Sequence, residues 1–196
     1  MRIYFDVGAH DGTDGFNALG GKYDKCYAFE IDKRMISLIK TKMAVHGENY
    51  VLTEKAVGSE SGKMTFKSYK KTNVGSLYHT NSESIKGREV DFEIVDEYEV
   101  DVITLADFCK ENNIEKIDHL HIDTQGHDFE VIKGVGEYIQ IVESGVLECY
   151  DENQKNLYLN TTNTLGSCKD YLESVGFTCN FDKQSNHDGN LKFKRL

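Results

Sequence analysis

The 196-residue chain has no proline, no tryptophan and no long apolar run. The first two absences exclude no class of function. The third excludes a membrane-spanning helix, which needs about 20 consecutive apolar residues. Its five cysteines, at 26, 109, 149, 168 and 179, are odd in number and never spaced C-x-x-C. That argues against a disulfide framework and a zinc ribbon, and no metal is expected. Reduced thiols in a cytoplasmic protein are the simpler reading. Met1 runs almost straight into RIYFDVG, so no targeting segment is expected. Positive charge is in deficit: 23 Lys and Arg against 33 Asp and Glu give a net charge of −10. Such a surface repels phosphate backbones, so nucleic acid is not the expected partner. The lysine-rich KSYKKTN is too short to reverse this.

What remains is a chain of alternating strands and helices. Residues 2–7 read as a buried strand, 13–19 as a short helix stopped by Gly20 and Gly21, and KCYAFEI as a second strand. DKRMISLIKTKMAVHG predicts a helix with Met35, Leu38, Ile39 and Met43 on one face and Gly47 as its stop. YVLTEKAV is a third strand, and GSESGKMTFKSY a turn and a short edge strand. TNVGSLYHTNSESIKGREVDFEIVDEY reads as an irregular surface excursion before EVDVI extends again. Thr104 caps a helix whose third residue is Asp107. KIDHLHID is the fourth core strand, HDFEVIKGVGEYI a helix and SGVLECY the fifth strand. Ser167 is expected to cap a late helix with Cys168, Tyr171, Leu172 and Val175 on one face. FTCNF and LKFKRL pair antiparallel across DKQSNHDGN. The expected class is α/β: one domain over residues 1–196, a doubly wound, mostly parallel sheet with helices on both faces and a C-terminal antiparallel hairpin.

In such sheets a ligand lies beyond the carboxyl ends of the strands, where strand order reverses. The residues to inspect are therefore DVGAHDG, FEID, KAVGS and IDTQGHD. FDVGAHDG is not a dinucleotide turn of the G-x-G-x-x-G type, because His10 stands two residues after Gly8 where a pyrophosphate requires bare backbone. Glu30, at the end of the second strand, is placed to accept both hydroxyl hydrogens of a ribose. A nucleoside-like ligand without a pyrophosphate satisfies both observations.

FDVGAHDG, YAFEID, KAVGS, NVGSL, ITLADF and HIDTQGHDFEVIKG, in this order, resemble the FkbM-type S-adenosylmethionine-dependent methyltransferases, with a weaker likeness at DGNLKFKR. The resemblance implies the class I methyltransferase fold. It also implies O-methylation of a hydroxyl on a sugar, glycolipid or small metabolite, with S-adenosylhomocysteine as product. The implied cofactor residues are Gly8, Ala9, His10, Asp11 and Gly12 around the methionine part, Glu30 at the ribose, Ala56 and Val57 by the adenine, and also Asp6, Ile31 and Asp123. Many members carry a lysine, then I-D, then x-E-G. Here His121 replaces the lysine and Gln125 the glutamate, which alters the usual charge arrangement.

A sulfonium methyl is a strong electrophile, so the protein mainly aligns an acceptor oxygen and excludes water. A positioned base adds about 10²- to 10⁴-fold. His127 and Asp123 are the catalytic candidates and His10 a third, with Asp123 suited to organising cofactor or substrate. Tyr78, Tyr150, Asn153 and Tyr158 are candidates for lining an acceptor cleft. Three other readings stay open. His119, His121 and Asp123 share a strand face and are similar to the H-x-H-x-D-H element of metal-dependent hydrolases, but Thr124 stands where the last histidine belongs. A nicotinamide-dependent oxidoreductase suits Glu30 and not His10. A non-catalytic S-adenosylmethionine-binding module suits the binding residues alone.

Overall fold

The computed structural model describes residues 1–86, 92–151, 156–185 and 188–196. In chain order the strands are β1 (Ile3–Val7), β2 (Lys25–Phe29), β3 (Tyr50–Thr53), β4 (Ala56–Val57), β5 (Gly62–Tyr69), β6 (Ile94–Ile103), β7 (His119–Ile122), β8 (Ser144–Tyr150), β9 (Phe177–Lys183) and β10 (Asp188–Arg195). The helices are α1 (Thr13–Gly21), α2 (Lys33–Met43), α3 (Ser82–Ile85), α4 (Leu105–Glu111), α5 (Asp128–Lys133) and α6 (Leu165–Ser174). Seven strands form the main sheet in the order β3-β2-β1-β7-β8-β10-β9. All neighbours are parallel except β10, which runs antiparallel to both β8 and β9. The order reverses between β1 and β7, which is where a doubly wound sheet holds its ligand.

Period-two alternation assigns the two faces. Ile3, Phe5 and Val7 of β1 and Leu120 and Ile122 of β7 point to one face. There they pack with Phe108 and Cys109 of α4, Val131 and Ile132 of α5, and Cys168 and Leu172 of α6. Tyr4, Cys26 and Ala28 point to the other face and pack with Ile39 and Met43 of α2 and with Tyr50. β1 is therefore buried along its whole length, as expected of a central strand covered on both sides. No helix of the described residues is long and apolar enough to cross a membrane.

Five local expectations are corrected. YVLTEKAV is two strands in two sheets, because the exposed pair Glu54 and Lys55 turns the chain out of the main sheet. β4 instead pairs with β6, and β5 with β6, in a small three-stranded sheet. The supposedly irregular stretch contains α3 and the first half of β6; residues 87–91 within it lie outside the described residues. In α2 the buried residues are Met35, Ile36, Ile39 and Met43, while Leu38 is 52% exposed on the flank. The helix expected over HDFEVIKGVGEYI ends at Lys133, because Gly136 takes φ 55°, and a 3₁₀ segment follows over Gly136–Ile141. α6 is capped by Thr164, whose side chain accepts from the Ser167 N–H; Ser167 is inside the helix. The expected Thr104 cap is present, its hydroxyl accepting from the Asp107 N–H at 2.9 Å.

The end of α5 lies against the turn that follows β4. A Cβ at Gly134 would stand 2.0 Å from the Gly58 backbone oxygen. Gly134→Ala should therefore cost roughly 1–3 kcal/mol in urea titration, by overpacking against backbone that cannot yield. Gly20→Ala, whose methyl would meet nothing within 4 Å inside α1, should be neutral or gain up to about 1 kcal/mol. Equal effects at the two positions would refute this packing.

Candidate active site

The site starts from a buried carboxyl. Asp6 is 0% exposed at the strand-order reversal. Its Oδ2 accepts from the Gly15 N–H of α1 at 3.1 Å, and its Oδ1 lies 2.9 Å from Nδ1 of His121, its register partner on β7. Burial pushes the Asp6 carboxyl up, and the His121 hydrogen bond and charge oppose that. For His121, burial works against the proton, but the bond to Asp6 and the charges of Asp6, Asp123 and Asp14 raise it to about 9. An imidazolium–carboxylate pair results. His119, two residues earlier, goes the other way: burial lowers it to about 4, and its Nδ1 lies 3.1 Å from the Ser144 hydroxyl.

Above this pair the loop after β1 is bound to its neighbours. The Gly8 and Ala9 N–H groups both donate to the Phe29 carbonyl at 3.0 Å, and the Asp123 N–H donates to the Val7 carbonyl at 2.9 Å. Gly8 takes φ 85°, and a Cβ there would stand 1.9 Å from the Asp123 backbone oxygen. Only glycine permits this approach. Glu30 closes the next strand end. Its Oε1 accepts from the Ile31 and Asp32 N–H groups at 2.7 and 2.8 Å, and its Oε2 from His10 N–H at 2.6 Å. Burial pushes Glu30 up to about 7, with the three backbone donors opposing it.

These strand ends floor a cavity of about 680 Å³, a size usual for small-molecule sites. Its wall runs from Ala56 and Val57, past Glu30 and Ile31, across Gly8, Ala9, His10 and Asp11, to His121, Asp123 and Glu148. Residues 71–77, after β5, form its roof. The roof is pinned at three points: His10 Nε2 lies 3.0 Å from the Thr72 hydroxyl, Tyr158 donates to the Val74 carbonyl at 3.0 Å, and Ser76 donates to the Gln125 carbonyl at 2.8 Å.

Of the residues singled out from sequence, Gly8, Ala9, His10, Asp11, Glu30, Ile31, Ala56, Val57, Asp123 and His127 all line this cavity. Asp6 and Gly12 stand behind it. Asp6 holds His121, and Gly12, at φ 75°, has no room for a side chain, since a Cβ there would stand 2.7 Å from the Met43 methyl. His127 is 5% exposed, with Nδ1 3.0 Å from the Tyr78 hydroxyl. It also borders a second cavity of about 330 Å³ that includes Tyr78, Ser59 and Glu130. Burial lowers His127 to about 4, so it is neutral and weakly basic at pH 7. Tyr150 and Tyr158 are buried in a cluster with Leu157 and do not line the cavity. Asn153 lies outside the described residues.

Two groups of wall residues escaped the sequence reading. Thr72 sits in a polar stretch without periodicity and carries no signal, and Ser76 falls within NVGSL, a stretch that entered the family resemblance without a role. Glu148 did carry one: it is a polar residue near the end of the apolar strand β8, the same pattern that singled out Glu30. Burial and the charges of Asp123, Asp128 and Asp188 push it up to about 9.

A glycine turn after the first strand, an acid after the second and an aspartate after β7 together floor one cavity at the reversal of strand order. Residues 6–179 match the Methyltransferase FkbM domain. The chain belongs to the FkbM methyltransferase family. Its fold is similar to that of the FkbM methyltransferase from Methylobacillus flagellatus KT, with a TM-score of 0.63 at 12% identity, over 98% of this chain and 43% of that one. The chain thus spans less than half the length of that protein. It is also similar to TrmK from M. capricolum in complex with S-adenosylhomocysteine, with a TM-score of 0.53 at 10% identity, over 99% of this chain and 62% of that one. An rRNA methylase from Streptococcus thermophilus gives a TM-score of 0.53 at 12% identity, over 100% of this chain and 87% of that one. At these identities the likeness is one of fold. No curated protein matches the chain.

In this FkbM domain both departures from the common family pattern are bonded side chains. His121 pairs with Asp6, and Gln125 donates from Nε2 to Asp123 Oδ1 at 2.6 Å, while its Oε1 lies 3.1 Å from the Tyr158 hydroxyl, whose one proton it shares with the Val74 carbonyl. The histidine puts a group that titrates within an accessible pH range into the buried pair. The folded-state pKa of His121, about 9, lies above its ordinary 6.5. Its stabilisation is therefore full below pH 6.5 and lost as pH rises through about 9. Urea titrations should show His121→Gln least stable relative to the natural protein near pH 6, by on the order of 2–3 kcal/mol, with the gap narrowing by pH 9. A gap that does not change with pH would refute the charged pair.

Proposed function

We propose that this methyltransferase transfers a methyl group to a hydroxyl oxygen of a small polar acceptor, a sugar or sugar-bearing metabolite. Its cofactor is S-adenosylmethionine. The residues present fit that group. Glu30 Oε2 accepts a single backbone N–H, which leaves it free to take a ribose hydroxyl. Ile31, Ala56 and Val57 supply apolar surface for the adenine. Gly8 to Asp11 would hold the methionine part, with Asp123 beside them, and Asp6 and Gly12 would support this loop from behind. Bound there, S-adenosylmethionine supplies an electrophilic methyl.

The observation that carries the hydroxyl reading is the composition of the opposite end of the cavity. It presents the carboxyls of Asp123 and Glu148, which suit a donor that must give up a proton. His127, neutral and hydrogen-bonded to Tyr78, is better suited to positioning than to accepting the proton. The net charge of −10 opposes a nucleic-acid acceptor. The RNA methylase among the fold neighbours nonetheless makes RNA the alternative to test. Free thiols on all five cysteines suit the cytoplasm. All of this is consistent with one catalytic domain over residues 1–196.

Calorimetry should show binding of S-adenosylhomocysteine and none of NAD. Glu30→Ala should weaken S-adenosylhomocysteine by roughly 1–3 kcal/mol while the protein stays folded. Methyl-labelled S-adenosylmethionine, offered with methyl glycosides, a glycolipid and a short RNA, should label a glycoside or glycolipid oxygen. Label confined to nitrogen or carbon, or NAD binding in preference to S-adenosylhomocysteine, would overturn the proposal.

A further inference from the structure

The order of strands gives the cavity a direction. Its wall passes from Ala56 and Val57, through Glu30 on β2 and the loop after β1, to β7 and finally β8. If Ala56 and Val57 take the adenine and Glu30 the ribose, the reacting end of the cofactor falls beyond β1, over β7 and β8. The acceptor must approach from that side, since the other end is closed by the adenine. Glu148 is the side chain that β8 contributes to the cavity wall. It lies two residues beyond Val146, the register partner of His121, so it points to the same sheet face as His121 and one step further toward the carboxyl ends. Its carboxyl accepts no hydrogen bond from a described residue, unlike Glu30 with three and Asp6 with two partners. A partly buried carboxyl with free lone pairs, at the acceptor end of the cavity, has no structural task that explains it.

We propose that Glu148 is a catalytic residue that faces the reacting methyl and takes the proton of the acceptor hydroxyl. The assignment rests on the hydroxyl-transfer reading above. As the new oxygen–carbon bond forms and the carbon–sulfur bond breaks, its electron pair stays on sulfur, and the hydroxyl proton passes to a Glu148 oxygen. One acceptor, one cofactor and one carboxylate account for every atom, and no oxidant or metal is needed. The groups around Glu148 are His121 on the same face of β7, Asp123 after β7, Asp128 on α5, Asp188 on β10, and Tyr150 and Tyr158. The acids raise its proton affinity, which suits a base for a hydroxyl. A cationic sulfonium opposite it lowers that affinity again when cofactor is bound.

Two measurements on the whole chain test this. The first needs no acceptor. Dissociation constants for S-adenosylmethionine and S-adenosylhomocysteine differ only by the sulfonium and its methyl. Between pH 6 and pH 9 the natural protein's preference for S-adenosylmethionine should grow roughly three- to tenfold as Glu148 ionises. In Glu148→Gln the rise should shrink to the part contributed by His121, which lines the same cavity and loses its proton near pH 9, and Glu148→Asp should restore it in full. The second is methylation of methyl glycosides. Glu148→Gln should lose 10²-fold or more in kcat, together with the acid limb of the pH–rate profile, while its S-adenosylhomocysteine affinity and near-ultraviolet circular dichroism hold. A Glu148→Gln ratio that rises with pH as the natural protein's does overturns the assignment, whether or not any glycoside is methylated. So does an unchanged pH–rate profile on a hydroxyl product. Label appearing only on nitrogen or carbon, with the binding ratio still dependent on Glu148, overturns the hydroxyl reading and leaves Glu148 beside the methyl.

Discussion

A single carboxyl group, sealed from solvent, holds together the elements from which the site is made. Asp6 reaches His121 across the β1–β7 junction and the first turn of α1 through Gly15. An isolated carboxylate at that depth is strongly unfavourable, and breaking such a pair leaves an uncompensated charge. The β1–β7 junction and the start of α1 are therefore fixed relative to one another. Everything nearer the cavity inherits that alignment. The loop after β1 can pass within backbone contact of Asp123 only because β1 and β7 are in register at Asp6 and His121.

The cavity built on that alignment is graded rather than uniform. One end is apolar, the middle is lined by backbone and by an acid already occupied with N–H groups, and the far end carries acids with open lone pairs. Burial acts in opposite senses along it. It makes His127 a weak base and Glu148 a strong one, while the Asp6 partner keeps His121 charged. Three groups that titrate near neutrality in free peptides or below it are thus separated by environment alone.

Most of the main sheet was legible, because its strands are apolar runs closed by glycine or acid and its helices repeat with the right period. The rule that ligands lie beyond strand ends pointed to four segments, and the family resemblance added roles for most of the ten singled-out residues within them that line the cavity. The rule's extension to SGVLECY would have added Glu148. What stayed illegible has local physical causes. Glu54 and Lys55 are two polar residues inside an apolar run, and nothing short-range says that they divide it between two sheets. Leu38 and Ile36 are equally apolar, and only the position of α2 on the sheet decides which is buried. The roof residues Thr72 and Ser76 are held by partners far away in the chain, His10 and Gln125, so no hydrophobic periodicity marks their place over the cavity, although Ser76 lies in the NVGSL stretch.

The small sheet and the roof enter the chain as one excursion, leaving after β3 and returning at α4. Its base is tied to the start of α2, where Ser68 donates to Asp32 and Tyr98 to the Ile31 carbonyl. Its far portion reaches over β7 instead. Lengthening or shortening that portion changes no hydrogen-bond register in the main sheet, and longer surface connections are thermodynamically inexpensive. The chain has in effect separated two inheritances. With cofactor and acceptor placed as proposed above, the stretches that hold the cofactor are those the fold needs to close, and the roof can be rewritten without them, so relatives sharing this core can diverge in what they methylate.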